Sequence, residues 1–182
     1  MQKLLPGPLY YEFSRHNEPR LRIEPGESVL VETQDAFSGQ IRTDDDRRDK
    51  TKAPYGNPQT GPIWVKTAQP GDTLAVTIES IEPSIGQCAT RTSDPGQLCE
   101  WLGTDCPHGT HVCPIRDGKI YWSDKLTIPY TPMLGCIGTA PDTGVPTTTP
   151  AGPHGGNMDI IETAPGNIVY LRVYVQGAFL YL

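Results

Sequence analysis

Apolar residues in this chain fall in short runs broken by turn-forming residues, and the three strongest runs begin alike. A Pro-Gly pair followed by a polar residue opens each one: Pro25-Gly26-Glu27 leads into 28–33, Pro70-Gly71-Asp72 into 73–78, and Pro165-Gly166-Asn167 into 168–175. Proline presets φ for the second position of a tight turn and glycine takes the positive φ of the third, so each pair predicts a turn that delivers a strand. Within 73–78, alternation of Leu74, Val76 and Ile78 turns one face towards a core. Shorter strands are predicted at 21–23, 62–67, 119–122 and 179–182. Amphipathic helical spacing is missing throughout, so helix is a minor component. The pattern predicts an all-β fold: a two-sheet β-sandwich with long irregular loops and little helix. The loops fall at 43–52, where Asp44, Asp45, Asp46, Arg47 and Arg48 read as a solvated surface of mixed sign, and at 84–117, a Cys-, Gly- and Pro-rich stretch.

Composition sharpens this picture. Nineteen glycines and nineteen prolines punctuate the apolar runs, as many short strands require. A chain of 182 residues predicts a single domain over 1–182 with a core of its own. Its net charge of −6 offers no basic footprint for a phosphate backbone, and no stretch is apolar enough to span a bilayer. Nucleic acid and membrane are therefore not expected as partners. Lys3 and Pro6-Gly7-Pro8 interrupt what a secretory leader would keep apolar, and the five cysteines are an odd number, so a cytoplasmic protein with free thiols is expected. The chain stops inside the apolar run 176–182. The expectation is a domain truncated at its C-terminus, whose last strand pairs within its own sheet or with a second subunit, as a homo-oligomer such as a dimer or with a complementing chain.

Candidate chemistry concentrates in Pro153-His154-Gly155-Gly156-Asn157-Met158-Asp159. Two glycines let another group approach the main chain, and imidazole, amide and carboxylate could converge on a metal or a polarised carbonyl; equally, the run could be a glycine loop with capping polar side chains. Asp35 stands where a predicted strand opens into a turn, from which a carboxylate can act as ligand, base or, by preference, turn former. Cys99, Cys106, His108, His111 and Cys113 are soft ligands, but crowding in one short loop strains a zinc shell, so free thiols or one disulfide are preferred to a zinc site. Cys136, among apolar residues and glycines, reads as a core filler with a raised thiol pKa. A Gly-x-Ser-x-Gly elbow, a phosphate-binding loop and a dinucleotide fingerprint are all missing.

Six segments taken in order resemble the acetamidase/formamidase family: 32–41 (ETQDAFSGQI), 57–65 (NPQTGPIWV), 68–76 (AQPGDTLAV), 132–141 (PMLGCIGTAP), 153–160 (PHGGNMDI) and 175–178 (VQGA). The resemblance implies a mostly β fold of two packed sheets and hydrolysis of small linear amides, formamide or acetamide, to ammonia and a carboxylate. It implies a divalent cation (zinc, calcium or magnesium) with His154 and Asp159 as metal positions, Asp35 and Asn157 as catalytic positions, and Gly155 and Gly156 lining the substrate. Two departures stand out. Family members continue into a further Asp-, His- and Glu-rich segment, so the implied site is incomplete here and the chain alone is expected to be weakly active; and the stretch around 88–113 has no counterpart in the family pattern. The competing expectation is a non-enzymatic β-sandwich that binds a partner or metal through its open edge and its Cys/His loop.

Overall fold

In the computed structural model, residues 1–91, 100–103 and 109–182 are described. Cys99, Cys106 and His108 lie outside the described residues. The first strands are β1 (Gln2–Leu4), β2 (Leu21–Ile23), β3 (Val29–Val31), β4 (Ile63–Val65) and β5 (Thr73–Thr77). A run of four follows: β6 (Gln87–Arg91), β7 (Thr110–Arg116), β8 (Lys119–Ser123) and β9 (Leu126–Pro129). The last are β10 (Cys136–Thr139), β11 (Ala151–Gly152), β12 (Gly155–Asn157), β13 (Ile168–Arg172) and β14 (Leu180–Tyr181). The fold is β-rich, as the alternation predicts. Among the described residues no helix is long and apolar enough to cross a membrane.

The chain forms two compact units. One comprises Met1–Ser38, Lys50–Ile81 and Pro132–Leu182; the other comprises Gly39–Asp49 and Glu82–Thr131. In the first unit the three Pro-Gly turns stand where the sequence predicts them, with positive φ at Gly26, Gly71 and Gly166. The carboxylates that follow two of them close the turn from outside. Glu27 Oε2 accepts the Glu24 N–H at 3.0 Å, and Asp72 Oδ2 accepts the Gln69 N–H at 2.9 Å.

A six-stranded sheet runs β11-β12-β10-β14-β4-β2, with β2 parallel to β4 and its other pairings antiparallel. Strand geometry sends successive side chains to opposite faces, and both faces of this sheet are used. On one face Ile63, Ile137 and Leu180 join Leu4 and Leu171 in a buried cluster. It is closed by Leu74, Val76 and Val169 of the β5–β13 pair and by Val29 and Val31 of β3, so these strands form the second layer of the sandwich. Each such buried side chain contributes roughly 2 kcal/mol of transfer free energy.

The other face turns Trp64, Cys136 and Tyr181 towards Phe13, Phe179 and Tyr10. Tyr181 is fully buried there. Its hydroxyl donates to the Ser14 carbonyl at 2.6 Å and accepts from Asn17 Nδ2 at 3.0 Å, which pins the segment 10–17 across the sheet. Phe13 and Tyr10 meet the Tyr181 ring edge-on at 5.5 and 5.9 Å. A burial-dominated environment pushes the Tyr181 phenol up to about 12.

The second unit is a four-stranded antiparallel meander, β6-β7-β8-β9. This corrects the sequence expectation of an irregular stretch over 84–117, because β6 and β7 pair along their length. Pro114 lacks an N–H and sits opposite Gln87, while the next residue, Ile115, donates to the Gly86 carbonyl at 2.8 Å; proline therefore falls where the ladder requires no donor. Asp44, Asp45 and Arg47 of the mixed-charge segment are exposed, as expected, while Asp46 and Arg48 are partly buried, and the segment is tied to β7. Asp44 Oδ1 accepts the Val112 N–H at 2.6 Å and Thr110 Oγ1 donates to the Asp46 carbonyl at 2.9 Å. Backbone donors from Arg42 and then Thr43 hold the Asp46 carboxyl below the usual carboxylate range.

Candidate functional site

The Pro153 to Asp159 run forms the connection from β11 to β12, β12 itself and the two residues after it, with β12 hydrogen-bonded along β10. Cys136 pairs with Asn157, Ile137 with Gly156 and Gly138 with Gly155. Gly155 and Gly156 both hold positive φ, at 98° and 94°. A Cβ on Gly155 would lie 2.3 Å from the Ile137 carbonyl oxygen, and one on Gly156 would lie 2.5 Å from that of Pro150. The close approach these glycines permit is thus to neighbouring main chain.

Antiparallel pairing separates the polar residues that the sequence could have gathered at one point. His154 sits at the Thr139 end of β10, its carbonyl accepting the Thr139 N–H at 2.9 Å. Asp159 sits at the Gly135 end, where the N–H groups of Met158 and Asp159 both donate to the Gly135 carbonyl, at 2.9 and 3.0 Å. Four residues of extended chain between Gly135 and Thr139 span about 13 Å. His154 and Asp159 therefore belong to different surroundings.

His154 is buried, with its ring 4.9 Å from that of Phe13 and edge-on to it. Its Nε2 is buried without a hydrogen-bond partner. The residue borders a shallow cavity of about 500 Å³ lined also by Pro141, Val145, Pro153 and Tyr174. Burial holds its pKa below the ordinary 6.5, because a charged imidazole would lose its hydration. A folded-state pKa lowered in this way lends stability above pH 6.5 that is lost as the pH falls below it, when the unfolded chain takes up a proton that the folded one resists. His154→Gln is expected to flatten the pH dependence of the urea midpoint between pH 6.5 and 5; an unchanged slope would show that His154 carries none of it.

Asp159 adopts a left-handed turn at φ 50° and is exposed. A Cβ on Gly135 would lie 2.7 Å from Asp159 Oδ1 and 4.0 Å from Asn157 Oδ1, so the missing side chain of Gly135 leaves one gap that both oxygens border. Cys136 lies against this gap. Burial, and then the charge of Asp159, push its thiol up to about 12, and its Sγ donates to the Thr148 carbonyl at 3.7 Å. The expected raised thiol is therefore present, with a charged neighbour as well as apolar ones. Asn57 Nδ2 donates to the same Thr148 carbonyl at 3.2 Å, and the Asn57 N–H reaches the Ala36 carbonyl at 3.4 Å. This chain of contacts leads to the Asp35 turn, where Asp35 Oδ1 accepts the Phe37 N–H at 2.8 Å as a turn former does. Ser38 and Asn57 also hold positive φ, so three non-glycine residues in left-handed conformation border this region.

These contacts run from the Asp35 turn through Asn57 and Thr148 to Cys136, beside the gap that Asn157 and Asp159 border, and three of the residues involved, Asn57, Thr148 and Gly135, were not singled out by local spacing. Asn57 and Gly135 stand inside the motif segments 57–65 and 132–141, which was the available signal; Thr148 had none. Among the described residues no group of three His, Cys, Asp or Glu side chains is placed to hold a metal ion. His154, at the far end of β10, is not gathered with Asp159, so the two expected metal positions do not share one cluster.

Fold and site together define a β-sandwich with a carboxylate and an amide bordering a glycine-lined gap at the end of a central strand. The sequence model of the Acetamidase/Formamidase family matches residues 13–148, and the chain belongs to that family. The matched span contains Asp35, Asn57, Gly135, Cys136 and Thr148. A Schizosaccharomyces pombe protein that carries a provisional formamidase name is 38% identical over 86% of this chain and 52% of its own length. Among solved structures, an acetamidase of Bacillus halodurans superposes with a TM-score of 0.90 at 34% identity, over 99% of this chain and 60% of that one. A protein of Thermoanaerobacter tengcongensis described as a predicted acetamidase/formamidase gives 0.90 at 37% identity, over 100% of this chain and 59% of that one. The chain spans about half the length of the curated relative it matches.

Proposed function

We propose that this chain serves hydrolysis of the carbon–nitrogen bond in small linear amides, with formamide and acetamide as substrates and ammonia and a carboxylate as products. The observation that carries the proposal is the gap at Gly135, bordered by Asn157 and Asp159, within a chain of this family. An amide group matches a primary amide in both directions: the Asn157 NH₂ donates to the substrate carbonyl and its Oδ1 accepts from the substrate NH₂. The Asp159 carboxylate is exposed enough to meet water. It accepts a proton as that water attacks the carbonyl carbon, and returns it to the nitrogen as the C–N bond breaks. Cys136 borders the same gap, yet a thiol held near 12 stays protonated at neutral pH, which favours attack by water over a thioester intermediate.

The test is ammonia release from formamide and acetamide by the purified protein and by its Cys136→Ala variant. Release from both amides, weak in this chain alone and kept by the variant within a few-fold, is the expected result. No release from either amide would overturn the substrate assignment, and loss of turnover in Cys136→Ala with an intact fold would overturn attack by water.

A further inference from the structure

We infer that Cys88 and Cys113 form a redox-responsive dithiol, a modification site in the second unit separate from the candidate amide site. The two cysteines stand directly opposite one another on β6 and β7, and both are free thiols. The Ile115 N–H to Gly86 carbonyl bond marks the Gly86–Ile115 level as hydrogen-bonded. Since such levels alternate along an antiparallel pair, Cys88–Cys113, two residues further along, is hydrogen-bonded too, with Cα atoms about 5.5 Å apart. That separation lies inside the range of about 4.4 to 6.8 Å that disulfides occupy between Cα atoms, and the Cβ atoms, about 5 Å apart at such a level, close to the roughly 4 Å of a disulfide by a small adjustment of the two strands. The thiols stand close enough for each to shift the other's ionisation.

Their exposure sets the order of events. Cys113 is 1% exposed and Cys88 is half-buried, so Cys88 is the sulfur an external reagent meets. The oxidant is a low-molecular-weight disulfide. The Cys88 thiolate attacks one of its sulfurs, forming a mixed disulfide and expelling one thiolate. The Cys113 thiolate then attacks the Cys88 sulfur, closing the protein disulfide and expelling the second. The two cysteine protons end on the two expelled thiolates, and two electrons pass from the protein to the reagent. Burial raises both thiols, so the reaction is slow at neutral pH and accelerates towards pH 9.

The sequence supplies a direct readout. Between Cys88 and Cys113 the one tryptic site is Arg91, so trypsin places Cys88 on peptide 67–91 and Cys99, Cys106 and Cys113 on peptide 92–116. The full chain is incubated with oxidised glutathione, its remaining thiols are alkylated, and the digest is read by mass spectrometry. The experiment is run on the natural sequence and on a Cys99→Ser/Cys106→Ser variant. The expected result is a cross-link of 67–91 to 92–116, lighter by two hydrogens than the separate peptides, present in both proteins and lost in Cys113→Ser. Its rate should rise about tenfold per pH unit between pH 7 and 8.5. The proposal fails if Cys88 is recovered as a stable glutathione adduct or an alkylated thiol in the Cys99→Ser/Cys106→Ser variant. It fails equally if the cross-link survives Cys113→Ser at full yield, since Cys88 would then be pairing elsewhere. Should Cys113→Ser fail to fold, tandem fragmentation of the cross-linked peptide in the doubly substituted variant assigns the bonded sulfurs directly.

Discussion

Asp159→Asn is expected to lower kcat for formamide hydrolysis by about 10² to 10⁴ while leaving KM within a few-fold, which is the cost of removing a positioned proton acceptor. The substitution keeps the size and the left-handed turn, which asparagine accepts as readily as aspartate. The Asp159 N–H still reaches the Gly135 carbonyl, and the gap at Gly135 keeps its shape. What disappears is the carboxylate. A parallel loss of stability would point to a structural role, so the urea midpoint of the variant must stay at that of the natural protein. Steady-state ammonia release measured alongside denaturation separates the cases, and unchanged kcat would rule out Asp159 as the base. The same substitution removes the charge that helps to raise the Cys136 thiol, so alkylation of Cys136 at high pH should become faster in the variant.

The largest expected effect on stability is at Gly155. Its φ of 98° costs a side-chain-bearing residue about 1 kcal/mol or more, and an added methyl would lie 2.3 Å from the Ile137 carbonyl oxygen and 2.9 Å from the Gly138 Cα. Both neighbours are main chain in the central ladder and cannot swing aside as a side-chain tip would. Overpacking of this kind adds about 1 to 3 kcal/mol, so Gly155→Ala should lower unfolding free energy by about 3 kcal/mol in urea titration. Gly166→Ala is the matched comparison. Gly166 has a similar φ of 89° with nothing within 4 Å of its Cβ position, and should cost only about 1 kcal/mol. Equal losses at the two sites would show that φ alone, and not the contact with β10, makes Gly155 necessary.

Much of the β character was legible in the residues. Pro-Gly pairs impose their turns through two φ angles that belong to the residues themselves, and Leu74, Val76 and Ile78 declare a buried face by spacing alone. The order of six motif segments likewise carried the family. Composition misled at 84–117, where Cys, His and Pro disguise Thr110–Arg116 as loop; that segment becomes a strand because β6 lies beside it, a partner distant in the sequence. The Gly-Gly run was misleading in another way. Its glycines signalled a close approach correctly, but what approaches is the Ile137 and Pro150 main chain.

By itself, then, the sequence determined the β class, the turns, the alternating faces and the family, since each of these rests on local φ preferences, period-2 spacing or motif order. Only the tertiary structure decided that His154 and Asp159 stand at opposite ends of β10, that Asn57 and Thr148 reach the Asp35 and Asp159 region, and that Cys88 faces Cys113. Those placements depend on which strand pairs with which and in what register. Register is set by burying both faces of the sheet at once, a condition that no single stretch of the chain contains.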